Sequence, residues 1–250
     1  SERSRGLGDV YKRQGITAEN VAKDFNVTRA DMDAFALASQ KRAANAIEKG
    51  YFKDQITPVK ITKKREEFAF DTDEHVRGET TADGLASLRP AFDKEGQVTA
   101  GNSSGINDGA AALILGNAEK VEKSNKSPLA KIISYGFGGV APRIMGMGPV
   151  PASKMALERA GLKVSQIDIV ESNEAFAAQA CAVSKELSLP SDIVNPNGGA
   201  IALGHPVGAT GAIIMTKLIY ELHRTGGRYG LATMCIGGGQ GIAVIIDTQV

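Results

Sequence analysis

The apolar residues between Thr28 and Gly50 recur at the spacing of a helix. One face of this segment carries apolar or small side chains three to five residues apart: Phe35, Ala38, Ala43, Ala46 and Ile47. Thr28 and Asp31 have the spacing of a capping box, with Asp in place of the usual Glu or Gln. Gly50 suits the left-handed residue that follows many helices. The pattern therefore predicts a helix over 28–50.

A polar stretch with weak periodicity follows this helix. Alternating positions over Gln55–Thr62 predict a strand. The next residues, Lys63–Gln97, are polar and irregular. Because function concentrates on such surface segments, we expect this one to pass over a binding site as a loop-rich excursion.

After residue 110 short apolar runs alternate with segments of helical character. The predicted strands are 111–115, 129–135, 167–172, 231–235 and 242–247. The predicted helices are 118–126, 151–160, 174–187 and 208–224. Alternating strands and helices indicate a layered α/β domain.

Composition narrows the class of protein. The chain has 250 residues, 42% of them hydrophobic, which is enough for one large or two ordinary domains. Its formal net charge of +1 gives no basic footprint for nucleic acid or for a membrane surface. The two cysteines, Cys181 and Cys235, favour a reducing, cytoplasmic location over a disulfide framework. No stretch resembles a membrane span or a signal peptide.

Three familiar cofactor signatures are weak or missing. Residues 136–141 fit the form G-x-G-x-x-A, but Pro142 follows where a dinucleotide site needs a helix to begin. No phosphate-binding P-loop sequence occurs. The three histidines and two cysteines are too scattered for a zinc site, so no metal site is expected.

His205 is the first candidate for chemistry. It lies between Gly204 and Pro206, which restrict the backbone that presents it. An imidazole has the side-chain pKa nearest neutrality and so suits proton transfer. The residues alone equally allow a turn before a helix that happens to contain a histidine.

Cys235 is the second candidate, because it precedes a run of glycines at 237–239. A cysteine there can serve as a base, a nucleophile or a redox thiol, and the glycine amides can bind an oxyanion. The alternative is a small buried core residue.

Two further segments contain polar residues at element boundaries. Asn173 stands where a predicted strand meets a helix, and can be either a helix cap or an amide that positions a water or a carbonyl group. Residues 101–109 read as a tight turn whose small hydroxyls could border a thin ligand, or simply as a loop of turn-forming residues.

Together these segments resemble the thiolase family, which makes or cleaves carbon–carbon bonds between acyl-CoA thioesters. Asn173-Glu-Ala-Phe176, Gly204-His-Pro206 and Cys235 with glycines 237–239 occur in thiolase order and spacing. The likeness covers roughly residues 15–250 and is nearest to the biosynthetic acetyl-CoA acetyltransferases. It implies a thiolase-like layered α/β fold with a complete C-terminal half, part of the loop domain, and most of the N-terminal half missing.

The resemblance also implies residue roles. Cys235 would be the general base, a plausible one if its pKa is lowered by a nearby imidazole or by loop amides. His205 would activate a nucleophilic cysteine and help to bind a thioester oxygen. Asn173 would hold a water of one oxyanion site, and the amide of Gly237 would serve a second. The residues expected to bind coenzyme A or its acyl group are Arg77, Phe92, Ser104, Met145 and Phe176. Acetyl-CoA and coenzyme A would be substrates rather than covalent cofactors. The full-length family implies a homodimer or homotetramer.

The chain also departs from the family. Residues 1–14 do not resemble it and are expected to be a foreign leader. The expected boundaries are 15–107 for part of the loop domain, 108–126 for the end of the N-terminal domain and 127–250 for the C-terminal domain. The segment with the nucleophilic cysteine is missing, so we expect no turnover by this chain alone. We also expect it to expose an apolar face, and therefore to aggregate.

Two other interpretations stay open. A non-catalytic relative that only binds coenzyme A or acyl-CoA would not need Asn173, His205 and Cys235 together. Ketoacyl synthases share the fold, but would be expected to carry a histidine in place of Cys235.

Overall fold

The computed structural model describes residues 7–63 and 65–250, with the side chains of residues 7–12 left aside. Within these residues the α-helices are α1 (Leu7–Asp24), α2 (Arg29–Glu48), α3 (Ala82–Ala86), α4 (Ala118–Lys123), α5 (Pro149–Ala160), α6 (Ala177–Glu186), α7 (Ala200–Leu203) and α8 (Thr210–Thr225). The strands are β1 (Val59–Lys63), β2 (Glu66–Phe70), β3 (Lys131–Gly139), β4 (Ile169–Ser172), β5 (Tyr229–Ile236) and β6 (Gln240–Asp247). The predicted α/β class is confirmed.

The helix predicted over 28–50 is present, and its ends are those that the sequence indicated. The Thr28 hydroxyl accepts the Asp31 amide, and the Asp31 carboxylate accepts the Thr28 amide, which completes the capping box. Gly50 takes a φ of 70°, a conformation that costs glycine little. These local contacts satisfy backbone groups that a helix end leaves free.

Four strands form the main sheet in the order β3-β6-β5-β4. Strands β4 and β5 are parallel, and the other neighbouring pairs are antiparallel. Helix α5 packs on β3 and β6, and α8 packs on β4 and β5. The approach of α5 is so close that a Cβ atom on Gly136 would lie 2.2 Å from the Ala152 carbonyl oxygen. Because β4 and β5 run in parallel, their carboxyl ends meet at one edge of the sheet.

An apolar core packs helices α1 and α2 against the elements at the carboxyl ends of β4 and β5. Helix α1 packs on the 3₁₀ helix at Pro142–Met147 and on α6, while α2 packs on α6 and α7. Buried side chains from these elements form one cluster that includes Met145, Phe176 and Cys235. Helices α1 and α2 are thereby held near the carboxyl ends of β4 and β5.

The strand predicted over 111–115 is wrong. These residues have no regular secondary structure, and Ile114 and Leu115 are strongly exposed. An apolar run becomes a strand only when a neighbour takes up its backbone hydrogen bonds, and no described strand pairs with this segment.

The polar excursion is more ordered than expected. The strand predicted over 55–62 begins only at Val59, and it pairs with β2 to form an exposed antiparallel hairpin. The short helix α3 also lies within 63–97. In the described part of the chain, no helix is both long and apolar enough to cross a membrane.

Candidate active site

His205 lies between the short helix α7 and the long helix α8. Gly204 precedes it with a φ of 96°, and a Cβ atom there would lie 2.7 Å from the Asn107 side chain. The His205 amide donates to Asn107 Oδ1 over 3.1 Å. The side chain is 7% exposed. The glycine therefore lets the chain turn tightly enough to bury the ring under the 101–109 segment.

The hydrogen bonds of the His205 ring assign its proton. Nδ1 lies 2.7 Å from Thr210 Oγ1, and the Thr210 hydroxyl donates to the Pro206 carbonyl over 2.9 Å. Because the hydroxyl proton is used on that carbonyl, Thr210 Oγ1 accepts from Nδ1–H. Burial lowers the pKa of His205, which favours the neutral ring. Nε2 thus carries a lone pair that can accept a proton.

Asn173 lies beside that lone pair. It follows β4, and its amide donates to the Thr233 carbonyl on β5 over 2.9 Å. Its Nδ2 atom is 3.5 Å from His205 Nε2, and its own buried Oδ1 has no hydrogen-bond donor among the described residues. A buried carbonyl oxygen of this kind is an acceptor for water or substrate. The predicted pairing of an amide with the histidine is therefore present in the geometry.

Cys235 lies near the end of β5, opposite Gly241 of β6. The tight turn between these strands contains Gly238 and Gly239 at φ values of 85° and 96°, with Gly237 exposed before them. Burial raises the pKa of the Cys235 thiol to about 11. The condition of a thiol pKa lowered by an imidazole or by loop amides is not met, because desolvation dominates. Cys235 is a neutral thiol at pH 7.

Three of the residues expected to line the acyl and pantetheine path come together around this thiol. Met145 and Phe176 are buried in the same cluster as Cys235, and Phe92 packs against it. The rings of Phe92 and Phe176 meet edge to face, with centroids 5.7 Å apart. Such apolar walls suit an acyl chain better than a charged group.

The other two predicted coenzyme A residues lie in different settings. Ser104 is buried, and its hydroxyl donates to the Ala175 carbonyl over 3.0 Å. Arg77 is exposed, and its backbone amide donates to Gln40 Oε1 over 2.8 Å. Their contact with coenzyme A stays a prediction.

Sequence reasoning missed the residues that hold His205. Thr210 and Asn107 fix its ring and its backbone, and Glu174 organises the chain leading to it. The available signals were the hydroxyl five residues after the histidine and the polar residue at the end of the glycine-rich 101–109 run. Among the described residues, no group of three His, Cys, Asp or Glu side chains could hold a metal.

Comparison with known proteins gives one consistent family. The thiolase N-terminal domain matches residues 3–119, and the thiolase C-terminal domain matches residues 126–248. The beta-ketothiolase BktB of Cupriavidus necator is 58% identical over 96% of this chain and 62% of its own length. An acetyl-CoA acetyltransferase of Escherichia coli is 54% identical over 93% of this chain and 59% of its own length.

Solved structures give the same result. The crystal structure of the Bacillus anthracis acetyl-CoA acetyltransferase aligns with a TM-score of 0.91 and 49% identity, over 94% of this chain and 59% of that one. Human mitochondrial 3-ketoacyl-CoA thiolase in complex with CoA aligns with a TM-score of 0.88 and 45% identity, over 94% and 59%. The chain spans about 60% of the length of these relatives. Its two matched domains, its fold and its similarity to these proteins show that it belongs to the thiolase family.

Proposed function

We propose that this chain carries the proton-transfer and oxyanion-stabilising part of a thiolase active site. The reaction is acyl transfer between CoA thioesters, in which two acetyl-CoA give acetoacetyl-CoA and coenzyme A, or the reverse. The observation that carries the proposal is the unprotonated Nε2 of His205, 3.5 Å from Asn173 Nδ2. Asn173 is bound to β5 two residues before Cys235, so the three side chains share one edge of the sheet.

His205 and Asn173 serve the electrophilic side of the reaction. Neutral His205 accepts the proton of an attacking cysteine thiol at Nε2, because Nδ1–H is held by Thr210. The protonated ring then becomes a donor to the thioester oxygen. A water on the Asn173 side chain would be the second donor, and such preorganised donors stabilise a developing oxyanion.

Cys235 serves the carbon acid. In thiolysis, the C2–C3 bond of acetoacetyl-CoA breaks, and the thiol gives its proton to the resulting acetyl-CoA carbanion. In condensation, its thiolate takes a methyl proton from acetyl-CoA. With a thiol pKa of about 11, forming that thiolate at pH 7 costs ~5 kcal/mol. The resting state is therefore prepared for proton donation, and the amide of Gly237 would assist the enolate oxygen.

The substrate is placed by the apolar cluster. Met145, Phe92 and Phe176 would contact the acyl group and the pantetheine, with Arg77 and Ser104 nearer the nucleotide part of coenzyme A. A homodimer or homotetramer and a cytoplasmic location are proposals that follow from the bacterial relatives alone.

We infer that neither cysteine of these 250 residues accepts the acyl group. The sequence contains only Cys181 and Cys235. Burial raises the pKa of Cys181 to about 12, and this residue lies in the middle of α6. Neither thiol is activated as a nucleophile, so we propose that this chain alone does not turn over acetoacetyl-CoA.

The alternative is a relative that binds acyl-CoA without catalysis. It predicts a saturable binding site, but it does not require the tautomer of His205 to be fixed by Thr210. The ordered ring favours the catalytic assignment.

Calorimetric titration with acetyl-CoA tests the proposal, together with an acetoacetyl-CoA thiolysis assay. We expect saturable binding, weakened by Phe92→Asp and retained by Phe68→Asp on the distant hairpin, and no thiolysis by the chain alone. Absence of binding would overturn the site assignment, and measurable thiolysis would overturn the assignment of the nucleophile.

A further inference from the structure

Glu174 is a buried carboxylate whose two oxygens are both occupied. It is 1% exposed. Oε2 accepts from the Ser39 hydroxyl over 2.7 Å and from the Ile201 amide over 3.2 Å. Oε1 accepts from Asn195 Nδ2 over 2.7 Å. Desolvation raises the pKa of Glu174. Its hydrogen-bond donors are neutral groups from two separate segments of the chain.

One of these segments is helix α2, in the first part of the chain. Ser39 on α2 donates to Glu174 and also accepts the Gly199 amide over 3.0 Å. Gly199 lies against the carboxylate, since a Cβ atom there would be 2.2 Å from Glu174 Cδ. Glu174, Ser39 and Gly199 therefore form a closed three-way contact.

The other segment leads directly to His205. Asn195 begins it and is itself bound to β4, where its side chain exchanges two hydrogen bonds with the backbone of Ser172 at 2.8 and 2.9 Å. Ile201 lies in α7, four residues before His205. The carboxylate thus holds the 195–201 segment at both ends.

Glu174 is also the covalent neighbour of Asn173. One residue therefore fixes the Asn173 backbone and binds the segment that carries His205, whose Nε2 is 3.5 Å from Asn173 Nδ2. A buried carboxylate is a costly way to fill space, because apolar residues of the same volume often stabilise a core more. A buried carboxylate instead restricts the positions of its partners, because each hydrogen-bond donor must meet an oxygen at a defined angle.

We propose that Glu174 is a positioning residue that sets the distance between Asn173 and His205 by joining the 195–201 segment to β4 and α2. It does not touch substrate. The importance of Glu174 for catalysis rests on the proposed function, whereas its effect on the position and pKa of the His205 ring does not. Ser39 has the same positioning role, because its hydroxyl joins the Glu174 carboxylate to α2.

The His205 ring reports this positioning. The side chains bonded to its two ring nitrogens, Thr210 and Asn173, are neutral, and burial is the cause of its lowered pKa. A displaced 195–201 segment admits water and raises the pKa of His205 toward its ordinary value. Loss of a nearby negative charge acts in the opposite direction, because a carboxylate favours the charged imidazole. The sign of the change separates the two effects.

The experiment is a pH titration of the full chain by NMR, with ¹⁵N-labelled histidine and His223 as the internal reference. Glu174→Gln keeps the volume but places an amide donor against Asn195 Nδ2 or Ser39. Ser39→Ala removes the hydroxyl that donates to Glu174 Oε2 and does not change the charge. Asp247→Asn is the matched control, because Asp247 is a buried carboxylate on β6 that pairs with Arg228 rather than with the 195–201 segment.

We expect Glu174→Gln and Ser39→Ala to raise the pKa of His205 by about half a unit or more and to broaden its ring signals. His223 should not respond, and Asp247→Asn should not raise the pKa of His205. If Glu174→Gln fails to fold, Ser39→Ala alone decides the matter. An unchanged or lowered pKa of His205 in Ser39→Ala would overturn the proposal. If the unmodified chain does not bind acetyl-CoA, the proposed function is overturned, but the positioning role of Glu174 is not.

Discussion

Replacing Thr210 with valine tests the assignment of the His205 tautomer. Valine keeps the shape of threonine but removes the hydroxyl that accepts from Nδ1–H over 2.7 Å. The Thr210 side chain is 2% exposed, so water does not readily replace the lost partner. A buried donor left without an acceptor costs ~1–3 kcal/mol. For a chain of this size, that corresponds to a fall in melting temperature of about 2–12 °C.

The substitution should also change the neutral tautomer of His205 from Nδ1–H to Nε2–H. Without the Thr210 hydroxyl as acceptor, the ring proton is more stable on Nε2, where it faces the Asn173 side-chain amide 3.5 Å away. That amide must then turn its oxygen toward the ring, and the lone pair needed for proton transfer is lost. Nitrogen-15 shifts of the ring distinguish the two tautomers directly, and thermal unfolding gives the loss of stability.

Thr216→Val is the matched control. Thr216 lies on the same helix and donates to the Ala212 carbonyl over 2.9 Å, but that carbonyl also has a helical partner. We expect a stability change within ~0.5 kcal/mol and no change of tautomer. Thr210→Ser should restore the Nδ1–H form. The reasoning is refuted if Thr210→Val keeps the Nδ1–H tautomer and has the same melting temperature as Thr216→Val.

Four other changes have defined outcomes. Gly136→Ala should destabilise the chain by ~1–3 kcal/mol in denaturant titrations, because its Cβ atom would meet the backbone of α5, whereas Gly208→Ala has open space and should be nearly neutral. Alkylation of Cys235 by iodoacetamide should be slow at pH 7 and accelerate toward pH 11, since burial raises its pKa; rapid reaction at neutral pH would show an activated thiolate. Burial raises the pKa of Glu171 to about 7, so the folded state holds its proton more tightly than the unfolded state, and stability should fall by ~3 kcal/mol as the pH rises from 4.5 through 7. Glu171→Gln should flatten this part of the profile, and an identical profile would contradict it. Light scattering should show association of the isolated chain through its exposed apolar residues, and Ile114→Lys with Phe137→Lys should reduce it.

The sequence predicted the parts of this protein that depend on local pattern. The helix at 28–50 follows from its caps and its period, and the α/β alternation after residue 118 follows from short apolar runs. Asn173 and His205 were identified because their motifs occur together at a specific spacing. Their approach to 3.5 Å also depends on the 195–201 segment being held to β4 and Glu174 through Asn195, which the sequence does not specify.

Other features depend on tertiary contacts that no local pattern encodes. The 111–115 run has the composition of a strand, but it lacks a partner among the described strands. The pKa of Cys235 depends on burial in a cluster assembled from several elements, and this burial raises it to about 11. Glu174 was read as part of a motif, whereas its function depends on Ser39, which is 135 residues away.

Exchange of the acetyl-CoA methyl protons in deuterium oxide tests the central claim most directly, because it requires the acid–base groups of this chain but no acyl-accepting cysteine. The unmodified chain should incorporate deuterium into the methyl group with a rate that rises with pH, because the Cys235 thiolate is the base. Cys235→Ala should abolish the exchange, and His223→Gln should not affect it. Binding of acetyl-CoA without any exchange above the uncatalysed rate would contradict the account and leave a protein that only binds acyl-CoA.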